Sequence, residues 1–225
     1  MLPAVKCDMP DTYCYCPAAA GNKNLCSFRF IDNARNFIYY DVPKAGSSSI
    51  RETLFPDSWP YHNVLEPCKY SVKAAFVIDK DYKTFSFVRN PYARMVSAYF
   101  HFSKHGIIKD YESLSKAFNI ELEEIDTFKG FVKMTTIHQN HHWQPQVTHI
   151  PSSINFIGKI ESFQKDFDAL CRLLNIRRRI IPRSNKTRHK HYSVYYDDET
   201  YNIVTERYSE DLQRFNYTFD RFDYV

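Results

Sequence analysis

The chain has 225 residues, the size of one domain or of one domain with a short appendage. Hydrophobic residues make up 44% of the sequence and charged residues 25%, which excludes a disordered, collagen-like or coiled-coil chain. The formal net charge of +4 suits an anionic ligand but is too small for a protein that coats nucleic acid. No stretch approaches the roughly 18 apolar residues of a membrane helix, so the sequence predicts a soluble chain without a membrane span.

The N-terminal segment, residues 1–35, differs from the rest of the chain. It holds four of the six cysteines and shows little periodicity, so we interpret it as irregular and place the main domain at residues 36–225. The spacing C-x6-C-x-C-x9-C of Cys7, Cys14, Cys16 and Cys26 matches no zinc-binding pattern. Disulfides in an oxidising compartment and free thiols are therefore the main interpretations.

Two strand–loop–helix units open the main domain. Residues 36–42 (NFIYYDV) form a β-rich run that stops at Pro43, and the segment from Ser47 onward begins with hydroxyl residues that suit a helix cap. Residues 84–89 form a second β-rich run. The pair Asn90-Pro91 then predicts a helix with Asn as its N-cap and Pro at its first position.

Helical stripes and a further strand follow. Apolar residues that recur every three or four positions predict helices around 122–132, 163–174 and 201–215. Residues 154–158 (INFIG) predict a buried strand between them. Because strands and helices alternate, we expect a parallel sheet covered by helices, with ligands at the carboxyl ends of the strands.

The loop between the first strand and its helix has the features of a phosphate or sulfate site. Gly46 permits a tight turn, the N–H groups at the helix start point toward an anion, and Lys44 supplies a mobile cation. Ser47, Ser48 and Ser49 add hydroxyl donors. Because Lys44 precedes Gly46, the order of a Walker A loop is absent, which disfavours an ordinary NTPase. A plain capped helix after a turn is the alternative.

The second candidate segment joins the next strand to its helix. Arg89 lies at the strand end, where a guanidinium fork can grip a phosphate. Ser97 is two residues from both Met95 and Tyr99, about 200° around a helix, so we expect it to face away from their apolar stripe and to be available to a ligand. The alternatives are a structural ion pair for Arg89 and a solvated side chain for Ser97.

The two loop segments, with three later ones, resemble a set of motifs from one known family. PKAGSSSI and, about 40 residues later, FVRNPYARMVSAY resemble the two nucleotide-binding motifs of sulfotransferases, in the branch that contains heparan sulfate 2-O-sulfotransferase and the chondroitin 4-O-sulfotransferases. NHHWQPQ (140–146), FIGKIE (156–161) and DLQRFNY (211–217) are similar to the branch's D-x-H-W-x-P, F-V-G-K-x-E and D-x-x-x-F-x-Y segments. The resemblance spans residues 37–220. Asn140 stands where the branch commonly has Asp, which leaves the role of that carboxylate open.

The resemblance implies a P-loop-like α/β fold in three layers, with a central parallel sheet flanked by helices. It also implies 3′-phosphoadenosine 5′-phosphosulfate (PAPS) as donor, PAP as product, no metal, and an acceptor hydroxyl on a carbohydrate. By position, Lys44, Ala45, Gly46, Ser47, Ser48 and Ser49 match the motif that holds the 5′-phosphosulfate, and Arg89 and Ser97 match the motif that holds the 3′-phosphate. The chain would work in the Golgi lumen if an anchor precedes it, and in the cytoplasm otherwise. Its oligomeric state is not predicted.

Sulfuryl transfer also needs a base for the acceptor proton, while Lys44 stabilises charge on the leaving phosphate. His62 lies between the two nucleotide motifs, where several sulfotransferases carry a catalytic His or Glu, and it is the favoured base. His142 matches the histidine of the H-W pair and is the rival. Glu66 is a further alternative.

The basic residues concentrate near the C-terminal third, in the run 177–179 and in the stretch 183–191. Such runs usually form solvated faces. By resemblance, the second stretch lies where related enzymes fold a loop over the nucleotide, so Lys186 and Arg188 are candidate phosphate contacts, and the triple Arg is a candidate for facing an anionic acceptor. Two other functions remain alternatives, a kinase on a similar framework and a non-catalytic binder of anionic polysaccharide.

Overall fold

The computed structural model describes five stretches of the chain, residues 28–32, 34–56, 81–102, 120–182 and 189–220. These residues form two compact units. The first unit contains the described residues up to 88 together with 148–182, and the second contains 89–147 together with 189–220. The sequence-based boundary after residue 35 stays a prediction.

The first unit is built on a four-stranded sheet with the strands in the order β1 (Phe28–Asp32), β2 (Phe37–Asp41), β3 (Lys83–Val88) and β4 (Phe156–Lys159). The pairs β2–β3 and β3–β4 are parallel, as predicted, whereas β1 is antiparallel to β2. Only a short turn joins β1 to β2, and a connection of that length permits only antiparallel pairing. β1 lies within the segment 1–35, where the sequence predicted no regular structure, and its Phe30 and Ile31 are buried.

The helices are α1 (Ser47–Leu54), α2 (Pro91–Phe102), α3 (Leu122–Ile125), α4 (Phe128–Ile137), α5 (Phe163–Leu173), α6 (Asp198–Arg207) and α7 (Ser209–Phe215). The predicted α/β class, with helices around a central sheet, is confirmed. β2, the loop after it and α1 form the strand–loop–helix unit expected of a P-loop-like fold. None of the helices in the described stretches is long and apolar enough to cross a membrane.

Each unit has an aromatic core of its own. In the first unit, Phe87 of β3 is fully buried and packs edge-on against Phe163 of α5, with ring centroids 5.4 Å apart. The Phe87 ring also covers Gly158 of β4, where a Cβ would lie 2.3 Å from it, so the glycine of the FIGKIE motif is a packing requirement. In the second unit, Trp143 is the largest buried side chain, and it belongs to the same core cluster as the buried Tyr92 and Tyr208.

Two predicted helical stripes are each divided between two helices. The stripe at 122–132 is broken before α4, because the Thr127 hydroxyl accepts a hydrogen bond from the Gly130 N–H (3.0 Å) and caps a new helix. The stripe at 201–215 is broken at Tyr208, which ends α6 and precedes α7. The apolar repeat in the sequence continues across both breaks, so hydrophobic periodicity alone does not reveal the interruption.

Candidate functional site

The loop between β2 and α1 begins with a tight turn. The Ala45 N–H donates to the Val42 carbonyl at 3.2 Å, and Pro43 and Lys44 occupy the two middle positions of the turn. Proline cannot adopt a positive φ, whereas Lys44 has a φ of 66°, which is the pattern of a type II turn. The third position of this turn normally holds Gly or Asn, so Lys44 is strained by roughly 1–2 kcal/mol. Strain of this kind is typical of functional loops.

Gly46 follows directly and precedes the first residue of α1. Its φ is 80°, and a Cβ at this position would lie 2.6 Å from Ile160 Cδ1 and 2.9 Å from Phe163 Cζ. Backbone conformation and close packing therefore both require glycine. The result is a concave turn at a helix N-terminus, where N–H donors and the positive end of the helix dipole favour an anion. A sulfate or phosphate group is the kind of anion that such a helix N-terminus suits.

We expect Gly46→Ala to lower the free energy of unfolding by about 1–3 kcal/mol, because a left-handed alanine is strained and its Cβ displaces Ile160. Chemical denaturation measures the change. Lys165→Ala, an exposed change on α5 in the same unit, serves as the control and should stay within ~0.5 kcal/mol of wild type. Equal stability of Gly46→Ala and wild type would show that the loop adopts a different backbone in solution.

The hydroxyl of Ser47 is directed into the protein. It lies within hydrogen-bond distance of the Asp41 carboxylate and 2.9 Å from the Val42 carbonyl. Asp41 also accepts from the Tyr39 hydroxyl at 3.0 Å, and its Oδ2 lies 3.9 Å from Arg51 Nε. Burial, reinforced by the Asp41 charge, raises the pKa of Tyr39 well above its usual value. The sequence did not predict a role for Asp41, which anchors the start of α1.

The other predicted residues of the loop differ in exposure. Ala45 and Ser49 are buried, whereas Lys44 and Ser48 are partly exposed. Ala45 is buried and its N–H is used within the turn, so its part in the loop is to shape the backbone. The arrangement therefore favours an anion site built from main-chain N–H groups and the Lys44 ammonium, with hydroxyl groups in a smaller role than the sequence suggested.

Arg89 follows the last residue of β3, and both polar groups of its backbone are hydrogen-bonded. The side-chain amide of Gln146 contacts both sides of this residue: its Oε1 accepts from the Arg89 N–H at 2.9 Å, and its Nε2 donates to the Arg89 carbonyl at 2.9 Å. The next residue, Asn90, caps α2 by accepting from the Tyr92 N–H at 3.0 Å, as the sequence predicted. Gln146 is fully buried, and the sequence assigned it no role although it ends the NHHWQPQ motif.

Ser97 lies on α2 and is buried, so it does not occupy the exposed helix face that the sequence argument expected. Its exposed fraction is 7%, the same as that of Tyr99, and Met95 is 2% exposed. α2 is buried on nearly all sides within its unit, so an angular argument based on one apolar stripe does not find an exposed face. A role for Ser97 in phosphate binding stays a prediction.

His142 lies in the turn that follows α4. Its Nδ1 is 2.8 Å from Asn140 Oδ1, which also accepts from the His142 backbone N–H at 2.9 Å. Because an amide oxygen only accepts, the neutral ring carries its hydrogen on Nδ1 and its lone pair on Nε2, the tautomer that a base requires. Asn140 thus orients the ring without adding the negative charge of an Asp.

The rings of His141 and His142 are in contact, with centroids 3.9 Å apart, and His101 stacks on His142 at 5.6 Å. In the described part of the chain, no group of three or more His, Cys, Asp or Glu side chains has the arrangement of a metal site.

The triple arginine after α5 makes contacts within the first unit. Arg178 Nε donates to Asp168 Oδ2 at 2.9 Å, and the Arg179 guanidinium donates to the Thr53 carbonyl at 2.6 Å. These contacts are compatible with the alternative that this run forms a solvated face, and a role in facing the acceptor stays a prediction. Beyond it, burial lowers the pKa of His189, and the charge of Arg89 lowers it further, so the neutral imidazole is favoured there.

Several predicted residues lie outside the described residues, namely His62, Glu66, Lys186, Arg188 and the cysteines at 7, 14, 16, 26 and 68. Cys171 of α5 is a buried free thiol, and burial raises its pKa.

A family model described as “Sulfotransferase family” matches residues 29–218, which is most of the chain. The match begins in β1, within the segment that the sequence motifs left uncovered. Searches of curated proteins and of solved structures gave no significant match.

Proposed function

Because the chain belongs to the sulfotransferase family and is therefore a sulfuryl-transferring enzyme, we propose that its donor is PAPS and its acceptor a hydroxyl group of a carbohydrate. The observation that carries the donor assignment is the left-handed backbone of Lys44 and Gly46, two of the three residues between Pro43 and the first residue of α1. Backbone strain at a helix N-terminus supports an anion site built from main-chain N–H groups.

We propose the following roles for the chain's residues. The N–H groups of residues 46–49 and the Lys44 ammonium bind the 5′-phosphosulfate, and Lys44 stabilises the charge that develops on the leaving phosphate. Ala45 shapes the loop, because its N–H closes the turn onto the Val42 carbonyl. Arg89 and Ser97 bind the 3′-phosphate, with Lys186 and Arg188 as further contacts. When bound, PAPS supplies the activated sulfuryl group. No metal has a role in this proposal.

The acceptor hydroxyl loses its proton as the sulfur–oxygen bond forms, so a base lies near it. We propose His62 for this role because of its place between the two nucleotide motifs. His142 is the alternative, since its hydrogen bond to Asn140 leaves the lone pair on Nε2. If His142 is not the base, its orientation suits hydrogen bonding to the acceptor.

PAP should protect the fold against thermal unfolding more than ADP does, because only PAP carries a 3′-phosphate. A ligand at 100 times its Kd adds ~2.7 kcal/mol to the free energy of unfolding, so melting curves separate the two nucleotides. Arg89→Ala should abolish the difference, whereas Arg214→Ala, which removes an exposed charge from α7, should retain it. Equal protection of the wild type by PAP and ADP would remove the basis for PAPS as donor.

The acceptor class is tested separately, by incubating the enzyme and radiolabelled PAPS with panels of carbohydrate, protein and small-molecule hydroxyl acceptors. Label transfer to carbohydrates supports the proposal. Transfer only to tyrosine peptides or small phenols and alcohols would refute a carbohydrate acceptor while leaving the donor assignment intact.

A further inference from the structure

Gln146, whose side-chain amide pairs with the backbone of Arg89, is itself hydrogen-bonded to a buried carboxylate. Asp211 of α7 is fully buried, and its Oδ2 accepts from the Gln146 backbone N–H at 2.8 Å and from the Gln146 Nε2 at 3.2 Å. Its Oδ1 accepts from the Val147 N–H at 2.9 Å. Three N–H donors from two adjacent residues thus fix Gln146 in one position.

The charge of this carboxylate is balanced inside the same unit. The guanidinium of Arg94 is 2% exposed, interacts electrostatically with Asp211, and donates to the Gln144 carbonyl at 2.7 Å. Burying a charged pair is costly, and a hydrophobic replacement is often at least as stable. Stability alone therefore gives a weak reason for an Asp at this position, and a requirement for exact placement of Gln146 gives a stronger one.

We propose that Gln146 and Asp211 are positioning residues for the 3′-phosphate of the donor, acting through the backbone of Arg89. This inference rests on the proposed function, because it takes Arg89 as the phosphate ligand. The path has two steps: Asp211 fixes the Gln146 amide, and the amide pairs with both the N–H and the carbonyl of Arg89.

The physical effect is preorganisation. An arginine at a strand end has a mobile backbone unless its N–H and carbonyl are paired, and ordering it upon binding reduces affinity. With Gln146 in place, the Cα–Cβ direction of Arg89 is set before the ligand arrives. Loss of the amide should weaken binding of the 3′-phosphate about tenfold, because one backbone position must then be ordered by the ligand. The 5′-phosphosulfate half should be unaffected.

The test compares PAP with AMP, which differs from PAP only by the 3′-phosphate. Calorimetry gives both Kd values for the wild type and for Gln146→Met, which keeps the side-chain length and removes the amide. We expect the Kd of PAP to rise about tenfold and that of AMP to change less than twofold. In Arg89→Ala, adding Gln146→Met should have no further effect on the PAP/AMP ratio, since the two residues act in series.

Thr135→Val is the matched control, since it removes a buried hydroxyl that donates to the Val132 carbonyl in the same unit but has no link to Arg89. Its PAP/AMP ratio should equal that of the wild type. A normal ratio in Gln146→Met, or equal losses of PAP and AMP affinity, would overturn the positioning role. A wild type that does not distinguish PAP from AMP would overturn the proposed donor site itself.

If Gln146→Met does not fold, Asp211→Asn provides the same readout with an isosteric change. It replaces one accepting oxygen by an amide nitrogen, and we expect a two- to fivefold loss of PAP affinity with AMP affinity retained. In turnover assays, the KM for PAPS should rise while kcat at saturating donor stays within about threefold of wild type. A fall in kcat with unchanged KM would contradict a role in donor binding.

Discussion

Replacing His62 with alanine should lower the rate of sulfuryl transfer by ~10²–10⁴, the usual contribution of a general base. PAP affinity should stay near that of the wild type, because the base contacts the acceptor and not the nucleotide. Single-turnover assays with radiolabelled PAPS measure the first quantity, and calorimetry with PAP measures the second.

His142→Ala is the discriminating comparison. If His62 is the base, His142→Ala should reduce the rate less and act mainly on the KM of the acceptor. If His142→Ala abolishes activity and His62→Ala leaves the enzyme active, then His142 is the base. The hydrogen bond to Asn140, which leaves the lone pair on Nε2, explains that result. If neither change matters, Glu66 is the next candidate.

Lys44→Gly should separate activity from stability. Removal of the ammonium eliminates a contact that strengthens as charge develops on the leaving phosphate, so turnover should fall by ~10²–10³, with some loss of donor affinity. The free energy of unfolding should remain unchanged or rise by up to ~1 kcal/mol, because glycine relieves the left-handed strain at φ 66° while adding entropy to the unfolded chain.

Lys44→Ala is the paired variant. It loses the same charge but keeps the strained backbone, so it should match Lys44→Gly in turnover and be less stable. Lys165→Ala, which removes an exposed charge from α5 in the same unit, controls for net charge and should keep wild-type activity. Wild-type turnover in Lys44→Gly would refute the role of the ammonium.

Local sequence signals predicted the parts of the fold that depend on local physics. The strands β2 and β3, the Asn90 cap of α2 and the buried stripe of α5 were all predictable, because β propensity, capping and 3.6-residue periodicity act within a few residues. The antiparallel strand β1 was missed because it lies in a cysteine-rich segment whose composition obscured a five-residue β run.

The candidate site was only partly predictable, for a different reason. Gly46 could be found because its need for a positive φ is a property of one residue. Asp41 and Gln146 could not, since their roles depend on which side chains the folded chain brings to them. Ser97 was expected to be exposed because sequence periodicity does not tell how many faces of a helix are covered. The family match supports sulfuryl transfer, in preference to a kinase or a non-catalytic polysaccharide binder.

The corner between β3 and α2, formed by Arg89 and Asn90, is held by residues that lie much later in the sequence. Gln146 is fixed by Asp211, 65 residues later, and the Asn90 amide donates to the Thr218 carbonyl at 2.9 Å, across 128 residues. Helices form early and locally, whereas closing such long loops is slow. During synthesis, the final partners of this corner therefore become available only once α7 and Thr218 have left the ribosome, long after Arg89 and Asn90 themselves.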